Sequence, residues 1–227
     1  MLAQVDRILS FKAPKKEFFQ HIRTFLNEDD PEYREIEKAY RVSRRACKNR
    51  RREDGSTAFG HGRSVCLIGM LCLGIKNPAQ IKAMLLHDVV EDINGYTHDR
   101  IKSEFGHDVV YYTKWVSKPH PKDFTSKASR DDYYCRTFAD APADVLALKL
   151  PDVLHNLRTL FACSIEKQKR IVGVAKTTYL PLAKRHGILA GEIAAAIARI
   201  EAAWPAEMTD QEPDIATISL RAPVKAV

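Results

Sequence analysis

Apolar residues recur at helical spacing almost throughout this chain, and the strict alternation of a half-buried strand is nearly absent. That pattern restricts the chain to an all-α architecture. Phe18, Phe19, Ile22 and Phe25 form one such stripe. A helix beginning after Asp29 or Asp30 tolerates Pro31 in its first turn and is expected to run to about Arg52. Asp54-Gly55-Ser56 reads as a turn. An apolar helix follows from about Arg63 to Leu73 and stops at Gly74. Asn77-Pro78 opens another, with Ile81, Met84, Leu85, Val89 and Val90 turned inward. Thr97 caps a short helix ending at Phe105-Gly106, and the next covers Val109 to Val116. Ser117 to Ser129 is rich in proline and lysine and reads as a loop. Helices are expected again over 130–138, 143–161, 166–185 and 191–203. Beyond Trp204-Pro205 the chain turns acidic and then irregular. A single helical domain over 1–207, with its core at about 30–204 and a poorly packed tail over 208–227, is the expectation.

A chain of 227 residues can bury one substantial core. With 45% hydrophobic and 29% charged residues it has the composition of a soluble globular protein. Its five cysteines are odd in number and form no CxxC pair, which argues against a disulfide framework or zinc knuckle and for a reducing compartment. The N-terminus lacks the apolar segment of a signal peptide, and Val65 to Gly74 is too short to cross a bilayer. A cytoplasmic location and no membrane partner are therefore expected. The net charge is +7, and Arg41, Arg44, Arg45, Lys48, Arg50, Arg51 and Arg52 are clustered. Such a run suits a phosphate-rich partner, nucleotide or nucleic acid, or is a solvated helix face.

The chemistry is concentrated in Leu85-Leu86-His87-Asp88-Val89-Val90-Glu91-Asp92. On a helix His87 stacks over Glu91 and Asp88 over Asp92. Carboxylates near a helix C-terminus oppose the macrodipole, a cost that a bound cation would reverse. A chance His-Asp pair is the plain alternative. Two further residues fit a metal site. His61 follows the Gly55 turn beside an apolar helix, where an isolated histidine also serves as a core or capping residue. Asp152 lies among Leu148, Leu150, Leu154 and Leu157, where an unpaired carboxylate is costly. Asn156 and Thr159 share its helical face, so that face offers a carboxylate, an amide and a hydroxyl in line, as a nucleotide site requires. Mixed histidine and carboxylate donors suit manganese, iron or zinc better than calcium.

His61, His87-Asp88 and Asp152 follow the H…HD…D order of the HD superfamily. More narrowly, the chain resembles the hydrolase domain of RelA/SpoT-type proteins and the stand-alone small alarmone hydrolases. The matching stretches are Arg52-Glu53-Asp54-Gly55, LLHDVVED, the IKSEFG to WVSK region, LKLPDVLHNLRTL and Tyr179 to Arg185, in the family's order over roughly 40–190. The resemblance implies an HD-type helical bundle that uses manganese to remove the 3′-pyrophosphate of (p)ppGpp, a small anionic nucleotide. It assigns His61, His87, Asp88 and Asp152 to the metal, and Glu91 and Asp92 to orienting and deprotonating the attacking water. Asn156 and Thr159 would contact the nucleoside, and Arg52 the guanine. With no nucleotidyltransferase segment in sight, a stand-alone hydrolase is expected.

Four residues depart from the family pattern. Gly62 follows His61 where proline is usual. Pro151 and Val153 flank Asp152 where alanine and arginine are usual, and a proline inside a helix costs ~3 kcal/mol and a backbone hydrogen bond. Glu53 puts an acid beside Arg52 where a base is common. These changes keep a second enzymatic reading open, a hydrolase of another phosphorylated nucleotide such as ppApp or NADPH. A third reading is a nucleic-acid or partner-binding module with a vestigial site.

Overall fold

The computed structural model describes residue 6 and residues 15–205, leaving aside the side chain of Asp92. The expected tail over 208–227 lies outside the described residues. Among the described residues all regular structure is helical, apart from one isolated antiparallel bridge between Arg51 and Thr57. The elements are α1 (Lys15–Ile22), α2 (Pro31–Ala46), α3 (Ala58–Leu73), α4 (Pro78–Asp92), α5 (His98–Phe105) and α6 (His107–Val116). They continue as α7 (Lys127–Thr137), α8 (Ala143–Arg158), α9 (Ile165–Val174), α10 (Leu180–His186) and α11 (Ala190–Glu201). No described helix is long and apolar enough to cross a membrane.

Short polar side chains start these helices. Asp30, Thr57, Asn77 and Thr97 accept from the backbone N–H groups of Glu32, Gly60, Ala79 and Arg100, which otherwise have no partner within the helix. Gly74 closes α3 with φ of 69°, a left-handed conformation that glycine adopts without strain, and Ile75 N–H returns to Gly69 O at 3.2 Å. The cap at Thr57 starts α3 five residues earlier than expected and brings His61 inside the helix. α2 ends at Ala46, not near Arg52, because the chain turns into the Arg51–Thr57 bridge.

α4 is the inner element. It packs against α2, α3 and α6, while α8 packs against α3 and α11. Ile81, Met84, Leu85, Leu86 and Val89 are all buried on α4. α3 is buried around most of its circumference, through Val65, Cys66, Leu67, Ile68 and Met70. Gly62 sits at the α3–α4 crossing, where an added Cβ would meet Met84 O at 3.7 Å. The residue after His61 is therefore small at the point where the two site helices come together.

α8 runs unbroken through Pro151. The segment expected as one helix over 166–185 is interrupted by a wide π turn at Ala175–Tyr179, in which Leu180 N–H donates to Ala175 O. Pro181 accounts for this. Its ring nitrogen has no hydrogen to offer Thr177 O and its ring crowds that carbonyl, so the preceding turn widens. α7 starts at Lys127 and α8 ends at Arg158, each three residues earlier than expected.

Because α4 carries much of the core, Leu86→Ala should destabilise the domain by about 2–5 kcal/mol. Urea unfolding followed by circular dichroism measures this, with no change expected in helix content before the transition.

Candidate active site

Three helices converge on one cluster. His61 comes from the first turns of α3, His87 and Asp88 from α4, and Asp152 from the middle of α8. Ligand atoms of His61, His87 and Asp88 all lie within 4.8 Å of one another. His61 Nε2 is 3.0 Å from Asp152 Oδ1 and 3.8 Å from Asp88 Oδ2. His61, His87 and Asp152 are buried, with Asp88 partly covered.

The hydrogen bonds orient both imidazoles toward the centre of the cluster. His87 Nδ1 donates to Met84 O at 2.8 Å, an assignment that follows because a carbonyl can only accept. Its Nε2 is then aimed inward, is buried, and has no hydrogen-bond partner although Asp88 Oδ1 approaches to 3.1 Å. A buried imidazole nitrogen left without a partner among carboxylates is what a metal ligand looks like without its ion. His61 Nδ1 lies 3.0 Å from Nδ1 of buried His155. Burial, then the neighbouring His61 and Arg52, hold His155 well below the usual imidazole range, so it stays neutral and can accept from His61. The contact at Nδ1 holds the His61 ring so that Nε2 faces the cluster, the way an outer hydrogen bond orients a metal-binding histidine.

The electrostatics fit a cation. Burial raises the Asp152 carboxyl, but the Lys149 charge and the His61 hydrogen bond outweigh it and hold the group well below the carboxylate range. Asp88 is likewise lowered against its burial by the His87 and His61 rings. Burial disfavours a charge on His87, yet Asp88, Asp152 and Glu91 push it up to about 10. A proton there plays the part that a divalent ion would take over on binding. Glu91 differs from the other acids. Burial and the Asp88 charge push it up to about 7, and its Oε1 accepts from Lys118 N at 2.8 Å. Asp92 ends α4, and its side chain lies outside the described residues.

The three expected substrate residues also meet. The Arg52 guanidinium donates to Asn156 Oδ1 at 2.6 Å and to Thr159 Oγ1 at 3.4 Å. Asn156 Nδ2 in turn donates to Asp152 Oδ1 at 2.8 Å, so Asn156 joins Arg52 to the acidic cluster. Arg52 is presented by the tight turn before α3. Its N–H bonds Ser56 O at 2.9 Å, and Asp54 Oδ1 accepts from both the Ser56 amide and hydroxyl. A cleft of about 500 Å³ joins these groups and is also lined by Lys118, Lys127, Lys167 and Arg170, a volume typical of small-molecule sites.

Sequence reasoning passed over Lys149 and His155. Lys149 is buried, pairs with Asp152 Oδ2 at 2.7 Å, and stacks over Tyr134 at 4.9 Å from the ring centre. Both residues stand three positions from Asp152, and that spacing on a helix was the available signal.

An HD-domain family model matches residues 39–189, well over half of the chain. The chain belongs to the HD-domain family. A Synechocystis protein named probable guanosine-3′,5′-bis(diphosphate) 3′-pyrophosphohydrolase is 36% identical over 141 residues, 61% of this chain and 18% of that protein. The Escherichia coli K12 bifunctional (p)ppGpp synthase/hydrolase SpoT is 32% identical over 173 residues, 74% of this chain and 24% of its own. This HD domain thus spans about a quarter or less of these relatives. A solved structure of a metazoan SpoT orthologue, described as hydrolysing ppGpp, shares the fold with a TM-score of 0.66 at 22% identity, covering 73% of this chain and 95% of that one.

The departures from the family pattern have local explanations. Glu53 does not face the cleft as a lone acid: it accepts from the Lys167 ammonium and the Cys163 thiol, and these contacts lower its carboxyl. Val153 is buried at the cleft wall. Breaking a buried ion pair from one side strands the other charge. Lys149→Met should therefore cost about 3–5 kcal/mol in urea unfolding, and adding Asp152→Asn to it should recover part of that loss.

Proposed function

We propose that this HD domain hydrolyses the 3′-pyrophosphate of (p)ppGpp, giving GDP or GTP and pyrophosphate, with a divalent cation, manganese by preference. The Arg52–Asn156–Asp152 chain of hydrogen bonds carries this reading most directly. It ties a planar guanidinium suited to a base or phosphate to a carboxylate at the cation cluster. The names of the relatives support the choice of guanosine 3′-diphosphate. The convergence of these groups inside a cleft favours a small nucleotide over nucleic acid.

In this reading His61, His87, Asp88 and Asp152 hold the cation, and the unpartnered His87 Nε2 fits that role. Bound there, the ion supplies Lewis acidity toward a phosphate oxygen and acidifies water. The protein supplies the rest. Arg52, Asn156 and Thr159 grip the nucleoside end, and Lys167 and Arg170 balance phosphate charge along the cleft. Glu91 takes the proton of the attacking water as the water oxygen bonds to phosphorus and the P–O bond to the 3′ oxygen breaks, and that proton is then returned to complete the 3′-hydroxyl. Its carboxyl, raised toward neutrality yet fixed by Lys118 N–H, is matched to that task. Asp92, one position on, is assigned to orienting the same water.

A Glu91→Gln protein should keep its metal content and nucleotide affinity while kcat falls by about 10²–10⁴. The rate should rise with pH as Glu91 loses its proton, along an acid limb at or below about 7. That limb should be absent in the glutamine variant. Weakened metal binding in an otherwise active Glu91→Gln protein would overturn the proton-acceptor role. Asp88→Asn should lose bound manganese and activity together. Elemental analysis measures the first, and product identification by mass across ppGpp, pppGpp, ppApp and NADPH measures the second.

A further inference from the structure

A second cavity of about 780 Å³ lies beyond the Ser117–Lys118 segment, between the end of α4, α6 and α7. It includes none of His61, His87, Asp88 or Asp152, so a molecule held there would not meet the cation cluster. Its lining combines aromatic and basic side chains, with the acids Glu91 and Asp123 at other points of the wall. Tyr111, Trp115 and Tyr133 supply ring faces, and Lys114 and Arg130 supply positive charge. Tyr111 and Tyr133 are 45% and 50% exposed, unusually open for large rings, and both stand on this one cavity. Arg130, half-buried on α7, and Lys114 on α6 bring their charge to the same wall as these rings. Aromatic faces beside guanidinium and ammonium groups suit a planar base that carries phosphate.

We propose that this cavity is a nucleotide-binding effector site, taking a purine nucleoside diphosphate with the base against Tyr111, Trp115 and Tyr133 and the phosphate at Arg130 and Lys114. The wall it shares with the hydrolytic cleft makes it an effector site. Glu91, Lys118 and Tyr134 line both spaces. Within that wall Lys118 N–H holds the Glu91 carboxylate, and Ser117 Oγ donates to His87 O at 3.1 Å. An occupant pressing on this segment acts on the group that accepts the proton without touching substrate. Nothing in this argument depends on which nucleotide the hydrolytic cleft turns over.

The test uses GDP as probe and Trp115 as reporter. The chain has two tryptophans, so a Trp204→Phe protein isolates the Trp115 signal. GDP should quench it saturably. Tyr133→Ala and Arg130→Gln should each weaken that binding by about tenfold or more, with unchanged circular dichroism, whereas Arg52→Ala should leave it intact. Lys114→Gln serves as the charge test if Arg130→Gln fails to fold. Inorganic phosphate alone should bind far more weakly than GDP, and equal affinity would remove the ring stacking from the proposal. No quenching, or quenching abolished by Arg52→Ala and untouched by Tyr133→Ala, would overturn the site. Basal ppGpp hydrolysis should be unchanged in Tyr133→Ala. Failure of every protein to hydrolyse ppGpp would count against the proposed reaction and leave the titration standing.

Discussion

A carboxylate in the dry middle of a leucine-rich helix governs much of this structure. Asp152 can remain ionised there only if its oxygens are occupied, and three side chains occupy them. Lys149 takes one oxygen from a turn before, Asn156 the other from a turn after, and His61 reaches that second oxygen from α3. Each partner is committed elsewhere as well. The Lys149 ammonium lies over Tyr134, Phe138 and Tyr179, His61 meets His155, and Asn156 accepts from Arg52. One local requirement thus sets the relation of α3, α7, α8 and the turn before α3. Well-packed apolar side chains often match a buried ion pair for stability, so the network is better understood as fixing geometry than as strengthening the fold.

The helical periodicity and the helix starts at Asp30, Asn77 and Thr97 make the architecture legible in the sequence. The H…HD…D order likewise picked out residues that do converge. What escaped has a common physical origin. The end of α2, the early start of α3 and the π turn at Ala175–Tyr179 all depend on interactions that are not periodic. The first two are settled by the pairing of Arg51 with Thr57 and the Asp54 turn, and the third by a proline acting on the turn before it. Lys149 escaped because lysine reads as a surface residue, and the Asp152 carboxylate together with the aromatic wall across the site makes its burial tolerable.

These departures from local rules collect at one place. Arg51, Arg52, Glu53 and Asp54 from the first irregular segment, and Val174, Ala175 and Tyr179 from the last, all line the same cleft. Sequences depart from local regularity where a site requires backbone in a particular position. The π turn carries Tyr179 onto Lys149, and the bridge and turn bring Arg52 onto Asn156. Sequence-based helix limits fail at the positions that shape the cleft, and they hold across the α4 core.

The layout of charge in that cleft bears on the basic run over 41–52, for which two readings were open. The structure divides the run between a solvated face and the rim of the cleft. Arg44, Arg45 and Lys48 are solvent-exposed, and Arg41 pairs with Glu37 on its own helix at 3.6 Å, so much of the run is a solvated face. Arg51 and Arg52 continue it into the cleft, where Lys118, Lys127, Lys167 and Arg170 also stand. The floor gathers the acids Asp88, Glu91 and Asp152, which Lys149 and the His87 proton balance only in part. A polyanion is drawn by the outer charges and meets carboxylates at the bottom, which would repel its phosphates. A divalent ion on those carboxylates would add positive charge to the floor while leaving the outer charges as they are. In the proposed reaction these groups would therefore favour phosphate more once an ion is bound, and would couple substrate affinity to metal occupancy.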